Sequence, residues 1–131
     1  MHMAEKDVIR TERAPAPFQG APYNQAIRLG ELVFVAGQVG VDVATGELVG
    51  PTIGEQTEQI LRNMAAILEE AGSGMDKLLK TTVFLADFSD FAGMNEVYAR
   101  HVGDRPPARS TIGVAELPIG ARIEIEAIAH I

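Results

Sequence analysis

The chain has 131 residues, 47% of them hydrophobic, enough for one ordinary core: a domain of this length buries roughly two-thirds of the surface its unfolded chain exposes. The formal net charge of −7 disfavours a protein that works through an extended basic surface on nucleic acid or an anionic membrane, and leaves room for a local cationic pocket. With no cysteine, disulfides, thiolate zinc sites, iron–sulfur clusters and cysteine nucleophiles are excluded.

Met1-His2-Met3 is read as a cloning remnant, and His2 is left out of any site. The first twenty residues lack a signal-peptide core and carry Glu5, Asp7 and Glu12, unlike an acid-poor transit peptide; no apolar run approaches the ~20 residues of a membrane span. A cytoplasmic protein with no membrane partner is the expectation. Residues 1–131 are read as a single domain, in which 1–16 form an extended lead-in. Tyr23 to Leu29 is predicted as a short strand, with Gly30-Glu31 a turn. Leu32-Val33-Phe34-Val35-Ala36 is apolar at every position, the pattern of a strand buried on both faces. Gly37 then marks a bulge or a close backbone approach. Val39 to Val43 is expected to continue as strand, and Ala44-Thr45-Gly46-Glu47 to turn.

The period then changes. Ile60, Leu61, Met64, Ile67, Leu68 and Ala71 follow helical spacing. Thr52 and Glu55 match a capping box and Gly72 a helix end, predicting a helix over 53–71. Lys80 to Ala86 is the next strand. Phe91, Met94, Tyr98 and Val102 form a second helical stripe, opened by Asp87 or Ser89 and closed near Gly103. Strands over 108–115 and 121–130 follow, joined by a turn at Leu117-Pro118-Ile119-Gly120. The fold class is α+β: one mixed sheet with two helices on a single face. That arrangement leaves an apolar sheet face in water. A symmetric homo-oligomer would bury it, or the N-terminal strands would fold over it.

Several side chains could carry chemistry. Arg109 opens a strand otherwise made of small and apolar residues, and its planar fork matches a carboxylate with two parallel hydrogen bonds. A solvated strand end is the plainer reading. Glu124 and Glu126 share one strand face with Ile128 and His130. Two carboxylates about 6.6 Å apart suggest a glycosidase pair. But side chains pointing the same way from one strand do not flank a bond, and the chain has no tryptophan. Glu126 and His130 keep the reading of a solvated face. Tyr23 could lend a hydroxyl and an aromatic wall to a pocket, and Asn95 is an unusual residue for a helix interior. His101 and His130 have no partner at metal spacing, so no metal site is expected. No phosphate loop and no Ser-His-Asp pattern is present.

The stretch PPARSTIGVAELPIGARIEIEAIA closely resembles the C-terminal signature of the Rid (reactive intermediate deaminase, YjgF-like) family. APYNQAI, VFVAGQVGVD and KTTVFLADFSDFAGMNEVYA agree with it in order, so the resemblance runs from about Pro17 to Ala129. It implies a chorismate-mutase-like α+β fold and a homotrimer with clefts between subunits. It also implies hydrolysis of 2-imino acids or their enamine tautomers to 2-oxo acids and ammonia, without cofactor or metal. The substrate is then a small carboxylate. By position, the resemblance maps the carboxylate-binding arginine onto Arg109, the water-orienting glutamate onto Glu124 and a pocket tyrosine onto Tyr23. Gly37 and Thr111 match positions whose backbone faces the ligand, and Asn95 a pocket-lining asparagine. Ala36 stands where many members carry a serine, and Thr111 where a cysteine is common. These departures bear on rate and substrate preference more than on reaction class. Two other readings stand beside the deaminase: a non-catalytic sensor of small carboxylates, and an RNA-cleaving translation inhibitor. The acidic charge and the scarcity of aromatics weigh against the latter.

Overall fold

A computed structural model describes residues 5–131; Met1-His2-Met3, and with it the remnant reading, lies outside the described residues. The elements are β1 (Asp7–Ile9), β2 (Ala26–Leu29), β3 (Leu32–Gln38), α1 (Ile53–Glu70), β4 (Leu78–Leu85), α2 (Phe91–Val102), β5 (Ala108–Gly113) and β6 (Ile123–His130). The strands form one sheet in the order β1-β2-β3-β6-β4-β5. Every neighbouring pair is antiparallel except β4 and β5, which α2 connects as a crossover. The sheet is mixed and the class α+β, as the hydrophobic periods predict.

Local chemistry sets the helix ends. Thr52 Oγ1 accepts from Glu55 N at 3.1 Å and donates to the Glu55 carboxylate at 2.7 Å, so two residues organise the first turn of α1. At the other end Gly72 takes φ +85°, and the Ser73 and Gly72 amides donate back to Leu68 O and Glu69 O at 2.8 and 3.0 Å. That is a Schellman closure, which needs a left-handed residue that glycine supplies without steric cost. Asp87 accepts from Ser89 N at 2.9 Å and opens a 3₁₀ turn (Phe88–Asp90) that runs into α2.

The two helices share one face of the sheet. Ile60, Leu61, Met64, Ile67 and Leu68 of α1 and Met94, Tyr98 and Val102 of α2 are buried with Val33, Val35, Val83, Leu85, Ile123, Ile125 and Ala129. His101 Nε2 lies 2.8 Å from Glu58 Oε1 and ties the helices together. That hydrogen bond is the main reason the Glu58 carboxyl is held below its ordinary range.

Three expectations change. Leu32–Ala36 is not buried on both faces of the single chain: Val33 and Val35 are 0% and 4% exposed, but Leu32 and Phe34 are 40% and 43% exposed, because no helix covers that side. The N-terminal lead-in does not fold over the open face either. Its strand β1 pairs with β2 and lengthens the sheet edge. Val39 to Val43 does not continue β3. Gly40 packs so closely on α1 that a β-carbon there would lie 2.8 Å from Gln56 Cα, and Asn63 Nδ2 donates to Val41 O at 2.9 Å. The chain is drawn off the sheet toward α1, and only a Val41–Leu48 bridge remains.

Gln25, 4% exposed, secures the lead-in. Its Oε1 accepts from Thr11 N at 2.7 Å, and its Nε2 donates to Pro15 O at 2.8 Å and to Thr11 O and Ala14 O at 3.1 and 3.2 Å. The predicted turn at Leu117 to Gly120 is a 3₁₀ turn (Pro118–Gly120) in which Ile119 adopts φ +53°, a conformation a β-branched residue rarely takes. No described helix is long and apolar enough to cross a membrane.

Removing the cap should cost stability without touching the site. Thr52→Ala is expected to lower the unfolding free energy by about 1 kcal/mol in a urea titration, with catalytic rate unchanged.

Candidate active site

Strand parity places the candidate residues. In β6, Ile123, Ile125, Ala127 and Ala129 point to the helices, so Glu124 points to the open face, opposite Phe84 of β4. Between Val35 and Gln38 the β3–β6 register shifts, so that Ala36 and Gly37 together oppose one residue of β6. This bulge brings the backbone at Gly37 against the Glu124 side chain. A β-carbon on Gly37 would collide with the carboxylate, lying 2.9 Å from its Cδ, so the close approach depends on glycine. Gln38 steadies the bulge: its Nε2 donates to Ala36 O at 3.1 Å and to Gly37 O at 3.4 Å.

Glu124, Gly37, Ala36 and Tyr23 line an open cleft of about 390 Å³, with Phe18, Val39 and Pro118 at its margin. Tyr23 Oη accepts from Phe18 N at 2.6 Å, which leaves its own proton free to donate. Among the described residues the Glu124 carboxylate has no cationic partner and no hydrogen-bond donor. Burial raises its pKa above the ordinary value, and the neighbouring Glu126 raises it further.

Arg109 lies on the other side. It sits on the edge strand β5 opposite Thr81, whose side chain is fully buried beneath α2. The guanidinium carbon is 4.9 Å from the Tyr98 ring centroid and 5.6 Å from that of Phe91, and Nη1 is 3.7 Å from Met94 Sδ. No acidic side chain pairs with it among the described residues. Thr111, opposite Val83, shares this face. Asn95 follows Met94 on α2 and is half-buried.

The six predicted residues thus fall into two groups. Tyr23, Gly37 and Glu124 form one on the open face; Arg109, Thr111 and Asn95 form the other on the helix face. A single chain does not bring Arg109 to Glu124. Glu126 is exposed on the open face, and His130 Nδ1 lies 2.9 Å from Ile131 O. No group of three or more His, Asp or Glu among the described residues could hold a metal ion. Two features were missed in the sequence. Gln38 reads as an ordinary strand residue. Phe91, Met94 and Tyr98 read as a core stripe, and only the register of Arg109 with Thr81 shows that the stripe also faces a cation.

Comparison with known proteins places the chain in a family. The family model described as Endoribonuclease L-PSP matches residues 11–131. A RutC family protein of Pyrococcus abyssi is 50% identical over 125 residues, spanning 95% of this chain and 97% of its own length. A human protein named 2-iminobutanoate/2-iminopropanoate deaminase is 43% identical over 122 residues, 93% of this chain and 88% of its own. A solved structure from Entamoeba histolytica, described as a candidate endoribonuclease L-PSP, superposes with a TM-score of 0.93 at 42% identity, covering 97% of this chain and 100% of that one. The chain belongs to the L-PSP family, which is the Rid family that its C-terminal signature resembles.

The raised pKa of Glu124 makes a signed prediction. A carboxyl whose folded pKa lies above its unfolded one destabilises the fold once it ionises: the penalty is absent below the ordinary value of 4.5 and grows as pH rises through the folded pKa. Glu124→Gln should therefore melt at a higher temperature than the parent at pH 8, with the gap closing below pH 4.5. Equal melting temperatures at pH 8 would show that the Glu124 pKa is not raised in the folded protein as it exists in solution.

Proposed function

We propose that this protein hydrolyses 2-imino acids, or their enamine tautomers, to 2-oxo acids and ammonia in clefts formed between subunits of a homotrimer. The enzyme class, a 2-iminobutanoate/2-iminopropanoate deaminase-type hydrolase, follows from the named relatives. The residue roles and the assembly are our reading. The observation that carries them is the separation of an unpaired guanidinium and an unpaired carboxylate on opposite faces of one sheet. Neither is neutralised within the chain, so each is available to a ligand, and a second copy that brought the two together would complete one site. The open face, with exposed Leu32, Phe34 and Ile112, provides apolar surface for such a copy.

The chemistry follows from the groups. Arg109 of one subunit binds the substrate carboxylate through two parallel hydrogen bonds, fixing the adjacent C=N carbon. Thr111 and Asn95 flank that arginine. Across the interface Glu124 and the Gly37 backbone hold a water, with Tyr23 closing the wall. The protonated imine is attacked at carbon; Glu124 takes a proton from the water as the C–O bond forms. It returns that proton to nitrogen, then takes the remaining hydroxyl proton as the C=O bond forms, the C–N bond breaks and ammonia leaves. Free imines already hydrolyse in water, so positioning and desolvation are sufficient catalysis. With Ala36 in the bulge, the carboxylate and backbone carbonyls do this without a hydroxyl at that position. The family's ribonuclease name suggests the alternative of RNA cleavage, which the net charge of −7 disfavours.

In a coupled assay with a dehydratase that generates imines, Arg109→Ala should give no acceleration over the uncatalysed decay, and Arg109→Lys little. Glu124→Gln should lose turnover but still bind a 2-oxo acid in a titration. Mixing Arg109→Ala and Glu124→Gln chains under exchange should restore activity, at about a quarter of the parental sites if two chains build each site and pair at random. Failure of any mixture to recover activity would place both groups' work within one chain. The enzyme-minus-blank rate should fall on the acid side with an apparent pKa above 4.5.

A further inference from the structure

We propose that Tyr98 is a positioning residue for Arg109, holding the guanidinium by its ring face so that the charge and the hydrogen-bonding fork stay free for the substrate carboxylate. This rests on the reading of Arg109 as the carboxylate clamp. Tyr98 is 5% exposed, and its hydroxyl lies 2.6 Å from Thr81 Oγ1, itself fully buried. Thr81 is the residue opposite Arg109 in the β4–β5 register. The ring is thus fixed at both ends, by its backbone in α2 and by its hydroxyl on the strand beside the arginine. Arg109 then lies with its guanidinium carbon 4.9 Å from the ring centroid.

The alternatives available to a chain show what this arrangement achieves. An arginine side chain carries about 2 kcal/mol of rotamer entropy, and a free one would lose much of that on binding. An ion pair to Asp or Glu would hold it, but would cancel its charge and take up its N–H donors. An aromatic face attracts the cation without supplying a carboxylate's acceptors. Met94 Sδ, a weak acceptor 3.7 Å from Nη1, also leaves most of the donor capacity unspent. The buried Tyr98 O–H requires a partner and finds it at Arg109's own register position.

The test is the affinity for pyruvate by titration, with KM and kcat for imine hydrolysis where turnover remains. Tyr98→Phe, which keeps the ring, should hold the pyruvate Kd within about threefold, and Tyr98→Leu should raise Kd and KM about tenfold with kcat changed less. Phenylalanines carrying one, two and three ring fluorines at position 98 drain the ring's electron density at nearly constant shape, and should raise Kd stepwise. In an Arg109→Ala background none of these changes should weaken binding further. If Arg109→Ala alone leaves Kd unchanged, the clamp reading fails. If Arg109→Ala weakens binding while the fluorinated series is flat, or if Tyr98→Leu acts equally without Arg109, the clamp stands and the role of Tyr98 is refuted. Should Tyr98→Leu fail to fold, the fluorinated series decides the question by itself.

Discussion

The structure depends on a one-sided packing. Two helices bury one face of a six-stranded sheet and leave the other in water. Once α1 and α2 are seated, the two-residue period of each strand decides where every side chain goes. Ile123 and Ile125 are fully buried beneath the helices, so Glu124 between them must face outward. Thr81 is fully buried beneath α2, so Arg109, in register with it, must lie on the helix side. A one-residue slip in β5 would place Arg109 on the open face and a small serine or alanine beneath α2.

Within one chain this parity keeps the Arg109 guanidinium and the Glu124 carboxylate apart, and their surroundings differ accordingly. In the single chain Glu124 is partly desolvated without a cation, and burial, with Glu126 beside it, raises its pKa. Arg109 is steadied by two rings and a thioether, which stabilise a cation without neutralising it. The glycine in the β3 bulge completes the first half, because only a residue without a side chain lets the carboxylate lie against the backbone.

Much of this was legible in the sequence where the determinants are local. The capping box at Thr52 and Glu55, the Gly72 stop and the helical stripes of α1 and α2 are encoded within a few residues of where they act. The β6 alternation is equally plain, and the family signature singled out Arg109 and Glu124 by position. What it did not show was their facing. That depends on the register of β5 on β4 and of β6 on β3, set by contacts between distant segments. The β1 strand escaped for a similar reason: Asp7-Val8-Ile9 is too short to show a period, and its partner β2 lies well downstream. Val39 to Val43 has a strand's composition, but the tight seat of Gly40 on α1 overrides it. The continuous apolar run of β3 pointed to burial on two faces; in one chain it meets only one, and the surplus is the open face itself.

The fastening of the cleft's margin has its own consequence. From Pro15 to Gly20 no residue is buried in the single chain, yet this segment carries Phe18 to the edge of the Glu124 cleft. It is held by the amide of Gln25 at Pro15 and by the Tyr23 hydroxyl at Phe18, polar bonds each contributing about 1 kcal/mol net. The core beneath is held by buried hydrocarbon. The two parts therefore belong to different cooperative units. The rim's amides are therefore expected to exchange with solvent before those of β6, which hydrogen exchange would check.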